Sequence, residues 1–190
     1  NPAAIRWGTE HASDLVTNVS EGTRSAIRAL VEVALREGRH PFQTAREIRE
    51  VIGLAARQAD AVRRFRERLA SEGVDAVALE RRANRYADAL LRQRAITIAR
   101  TETLMASGHG QQSVWESAKA QGLLDPTRTQ RVWLATSDDI TDLHTCEPMA
   151  DIETPLAEPW TLPDGRKVMV PTESHPRCRC SAGLTFGDRE

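Results

Sequence analysis

Arg94-Ala95-Ile96-Thr97-Ile98-Ala99-Arg100-Thr101-Glu102 lies inside a helical pattern that barely pauses from Val77 to Met105. Leu79, Ala83, Tyr86, Leu90, Ala95 and Ile98 keep that pattern at helical spacing. It makes the chain α+β and mainly α, with long N-terminal helices packed on a small C-terminal β-containing unit. Within the stretch, Ile98, Glu102 and Met105 share one side, and Arg94 stands one turn before Ile98. A buried Arg–Glu arrangement persists only when fully paired. Arg94, Arg100 and Glu102, with Asp139 and His144 further on, therefore read as a structural polar cluster clamping the long helix to the β-unit. The competing reading is an active-site Arg/Glu pair.

Upstream, each helix carries its own start and stop signals. Asn1-Pro2 suits an N-cap and N1, and Leu15, Val16 and Val19 extend the first pattern. Ser20 caps a second helix carrying Ile27, Leu30, Val31 and Ala34, and Gly38 ends it. Thr44 with Glu47 fits a capping box for a short helix to Ile52. A further helix is expected from Ala55 to Ser71, stopped by Gly73. Downstream, Ser107-Gly108-His109-Gly110 predicts a kink or break before a last helix that ends at Gly122.

After Pro126 the periodicity changes. Gln130 to Ala135 reads as a strand. Thr141 to Met149 reads as one or two helical turns. Trp160 to Leu162 and Lys167 to Val170 flank a Pro163-Asp164-Gly165-Arg166 turn and make a hairpin. Arg179 to Phe186 supplies a last strand. This organisation gives a helical region, 1–76, and a second region, 77–190.

Composition is that of an ordinary globular protein: 40 % hydrophobic and 28 % charged residues, with aromatics at 4 %. No apolar run reaches the ~20 residues of a membrane span. Neither a signal peptide nor a secreted disulfide framework is expected from the three cysteines. Walker, G-x-S-x-G, H-E-x-x-H and dinucleotide motifs are missing. The net charge of −1 hides a basic, arginine-rich first half and an acidic second half.

Two of the three cysteines fall in His175-Pro176-Arg177-Cys178-Arg179-Cys180, and the third is Cys146. Thiol and imidazole are the preferred ligands of zinc, so Cys146, His175, Cys178 and Cys180 could make a closed structural site, with His144 as a spare ligand. Reduced buried thiols on a tight loop, or a disulfide from Cys146, are the other readings. An extended Cys178–Cys180 would point its two thiols to opposite faces. Asp138, Asp139 and Asp142 read as solvated turn residues.

The order Ile98-Ala99-Arg100-Thr101-Glu102, Trp115, Trp133-Leu134-Ala135-Thr136, Asp138-Asp139, His144 and His175-Pro176-Arg177-Cys178-Arg179-Cys180 resembles phage Mu F-like minor head proteins, the phage head morphogenesis domain. The likeness covers roughly residues 78 to 184. It implies a minor capsid protein of a tailed phage, prophage or phage-derived particle. Such a protein assists head assembly and DNA packaging or delivery near the portal. The implied partners are the portal protein, the major capsid or scaffold protein and, weakly and non-specifically, phage DNA. The implied locations are the bacterial host cytoplasm during assembly and then the interior of the virion head. Many members carry Cys-x-x-Cys before the terminal motif, whereas Met149 stands at the second of these positions here. The alternative function is an enzyme, a nuclease or nucleotide transferase, using Arg100/Glu102 and Asp139/His144.

Overall fold

The computed structural model describes residues 1–12, 19–138 and 141–187, and over these the chain is α+β and mainly α. The helices are α1 (Pro2–His11), α2 (Glu21–Glu37), α3 (Pro41–Val51), α4 (Ala56–Ser71) and α5 (Ala76–Ala120). The strands are β1 (Thr129–Leu134), β2 (Glu153–Pro155), β3 (Trp160–Thr161), β4 (Lys167–Val168) and β5 (Ser181–Phe186). A single 3-10 turn, Pro171–Glu173, precedes β5. Leu15, Val16 and Asp139 lie outside the described residues.

Local chemistry sets most helix ends. Asn1 Oδ1 accepts the Ala3 N–H at 2.9 Å, and Ser20 Oγ accepts the Thr23 N–H at 3.2 Å. Gly38 closes α2 at φ 65°, a conformation that favours glycine. The expected capping box at Thr44 does not form. Pro41 starts α3 earlier, with its fixed φ at the first helical position. His40 Nδ1 accepts the Phe42 N–H and Gln43 Oε1 accepts the His40 N–H, leaving Thr44 buried inside the helix.

The break expected at Ser107–Gly110 is absent too: α5 runs unbroken for 45 residues. Its glycines serve close packing instead. A Cβ on Gly110 would stand 2.6 Å from Ala4 Cβ and 2.8 Å from Ala4 N, and one on Gly108 would stand 3.2 Å from Val170 Cβ. Intact helical hydrogen bonding carries the chain through both positions, and missing side chains let neighbours approach.

The chain gathers into two compact units, Asn1–Glu10 with Thr101–Glu190, and His11–Arg100. The division falls within α5. A helix of this length spans about 68 Å, longer than one small core, so its two parts serve different cores. In the helical unit, Ile27 and Val31 of α2, Ala45 and Ile48 of α3, and Ala95, Ile98 and Ala99 of α5 form a buried cluster. None of the described helices is long and apolar enough to cross a membrane.

In the other unit the antiparallel sheet runs β2-β1-β5, and β3 pairs with β4 in a hairpin. Along β1, Thr129, Arg131 and Trp133 point inward and Gln130 and Leu134 outward, the alternation a half-buried strand demands. Trp133 and Trp160 meet edge to face at 5.5 Å, with Met149, Leu162, Val168 and all three cysteines around them. The expected helical turns after Thr141 are non-helical turns. Asp142 Oδ1 accepts the N–H groups of His144 and Thr145 and so competes with helical bonding.

Candidate metal centre

The thiol cluster is the centre of that core. Cys146, Cys178 and Cys180 are buried, free thiols whose sulfurs all lie within 4.8 Å of one another. Cys178 and Cys180 both come close to Cys146, so their thiols do not point to opposite faces. Arg177 takes a left-handed φ of 69°, and the Cys178 N–H returns to the His175 carbonyl at 3.2 Å. That turn immediately precedes the two cysteines that meet Cys146. The segment is tied to α5 by Arg177 N–H, which donates to the buried Thr101 Oγ1 at 3.0 Å.

Cys146 Sγ and Cys178 Sγ are 3.7 Å apart. Two thiolates on a tetrahedral zinc at ~2.3 Å stand about 3.8 Å apart, so this edge is already at coordination spacing. His175 meets the group at Cys146, with Nε2 2.9 Å from the sulfur. Its Nδ1 lies 3.0 Å from the Pro176 carbonyl, which can only accept. Nδ1 therefore donates to that carbonyl and leaves Nε2 facing the Cys146 sulfur, the orientation that second-shell carbonyls impose on ligating histidines.

The Cys178 thiol donates toward Cys180 and lowers Cys180 to about 5, with help from the Thr136 backbone N–H, Cys146 and the Trp133 indole. The same interaction holds the proton on Cys178 and raises it, burial adding to the effect. Burial pushes Cys146 up to about 11, while the Ser174 hydroxyl opposes it. The arrangement offers three soft donors inside a closed core. That donor set and burial could hold a metal ion.

The polar residues read from the sequence are distributed differently. Arg94 Nη1 donates to the Gly53 carbonyl at 2.7 Å within the helical unit, and burial lowers its pKa. Arg100 is half-buried at the end of that unit, and Glu102 is buried at the start of the other. His144 is exposed and Asp138 pairs with Arg179. Asp139 is outside the described residues.

Sequence reasoning missed Arg131, Gln112, His109 and Glu173. Arg131 is fully buried, with its guanidinium 4.1 Å over Trp160. Its Nη1 donates to Gln112 Oε1 at 2.9 Å and to the Met169 carbonyl at 2.6 Å, and its Nη2 donates to the Glu158 carbonyl. Its inward position on a strand of otherwise alternating polarity was the available signal. Glu173 accepts from His109 and from the Met169 and Val170 N–H groups, and Trp7 stacks on His109 at 4.5 Å.

Comparison with family models, curated proteins and solved structures finds no match to this chain.

Proposed function

We propose that the chain is a non-enzymatic assembly component, a minor capsid or head morphogenesis protein of a tailed phage, prophage or phage-derived particle. In this reading zinc, on Cys146, Cys178, Cys180 and His175, staples its C-terminal unit. The observation that carries the staple is the convergence of three buried thiols, with His175 Nε2 2.9 Å from one of them, Cys146. Four protein ligands make a closed site with no position for substrate, and a closed site is structural. The ion supplies folding energy to a small core and no reaction chemistry. The head-protein reading is supported by the ordered motifs from Ile98 to Cys180. The proposed partners are the portal and the capsid or scaffold, with weak DNA contact inside the head.

Two measurements test this. Protein made in zinc-supplemented medium should contain one zinc per chain by elemental analysis. Cobalt substitution should give thiolate-to-metal charge-transfer absorption. A chain free of stoichiometric metal removes the staple. Labelling the protein in purified particles tests its place in the head, and its absence from every particle removes the assembly role.

A further inference from the structure

Beside the thiol core, with Cys180 in its lining, lies a cavity of about 150 Å³. Its floor is buried: Arg131, Gln112 and Thr172. Its rim is exposed and polar: Ser107, Gln111 and Ser181. Two of the floor atoms, Arg131 Nε and Thr172 Oγ1, are buried and without a hydrogen-bond partner. Every acceptor that holds Arg131 is neutral: a side-chain amide and two backbone carbonyls. No carboxylate among the described residues forms an ion pair with it. Glu116, which acts on it from further away, accepts a hydrogen bond from Gln112 at 2.9 Å and is itself exposed. The second guanidinium in the lining, Arg179, is already paired with Asp138.

A buried guanidinium is normally matched by an anion, since an uncompensated charge inside a core is strongly disfavoured. Burial lowers Arg131 to about 10, so the group stays cationic at neutral pH. Its free Nε–H and the Thr172 hydroxyl are both able to donate, and planar guanidinium suits a planar or tetrahedral oxyanion. A cavity of similar volume elsewhere holds a benzene-sized guest, so a carboxylate or phosphate group fits, and the polar rim gives it a way in.

We propose that this cavity is a binding site for a small oxyanion, held by Arg131 Nε and Thr172 Oγ1. The site takes a free anion or an anionic group presented by a larger ligand, and its occupant neutralises the Arg131 charge.

The test follows the Arg131 Nε–H resonance by nitrogen-15 NMR in the protein as purified. Acetate and inorganic phosphate are titrated separately, at constant ionic strength against chloride. A saturable shift at millimolar concentration with either probe is expected. Thr172→Val keeps the shape of the side chain and removes the hydroxyl, and should weaken that binding about tenfold. It leaves Arg131 in place, so the comparison does not depend on an Arg131 variant that fails to fold. No saturable shift with either probe overturns the proposal, because water alone then satisfies the cavity. So does binding that Thr172→Val leaves unchanged, or that needs concentrations at which chloride acts equally.

Discussion

Around the thiols, the proposed metal staple rests on single side chains. Cys178→Ser removes one of the three soft donors of the proposed site. Metal content should fall from stoichiometric to none, and stability should drop by at least about 3 kcal/mol in thermal unfolding. His175→Ala should weaken metal binding, whereas His144→Ala should leave both metal content and unfolding unchanged, because His144 is exposed. Equal effects of the two histidine changes would exclude this ligand assignment. The cluster's composition was legible in the sequence, since cysteine and histidine at short spacing are rare without a reason. Its geometry was not. It includes a left-handed turn at Arg177, a residue type that carries no turn signal.

Within elements, most boundaries could be read locally, and the misread glycines of α5 had a tertiary cause. Ser20, Gly38 and Gly73 act on their own neighbourhood, and their helices end where expected. Gly108 and Gly110 look like helix breakers because glycine has that effect locally, yet their reason is tertiary. Gly110→Ala should therefore destabilise, although alanine is the better helix former. The added methyl meets Ala4 backbone at under 3 Å, a clash of the kind that costs about 1–3 kcal/mol. Hydrogen exchange should show α1 loosened and α2 unaffected. Glu173 offers a second element-scale measurement. Burial alone would raise its pKa, but the His109 bond and the Val170 and Met169 N–H groups outweigh burial and lower it. A depressed folded-state value stabilises above the unfolded-state value of about 4.3 and is lost as pH falls through the folded one. Glu173→Gln should cost about 1–2 kcal/mol at pH 7, and the difference from wild type should close in acid, as denaturant unfolding across that range will check.

Over the whole molecule, charge is divided as the cores are. The helical unit carries 17 arginines against 12 acidic residues, and the other unit is acidic in balance. Much of the arginine surface is already paired: Arg63 with Glu67 and Asp60, Arg66 with Glu80, Arg68 with Glu72. We therefore expect only weak, sequence-independent DNA binding, with dissociation constants on the order of 10⁻⁴ to 10⁻⁶ M at physiological salt. Fluorescence anisotropy against unrelated duplexes at two salt concentrations will check it. Tight binding to one sequence that survives high salt would exclude an assembly role based on non-specific contact.

The pairing of Asn1–Glu10 with Thr101–Glu190 also sets an order of events during synthesis. Trp7 and Ala4 leave the ribosome early, but their partners His109 and Gly110 follow roughly a hundred residues later, some 5–20 s at ordinary elongation rates. The helical unit completes its own core in that interval. α1 must wait undocked until then, so residues 1–10 join their unit only after the helical unit has been synthesised.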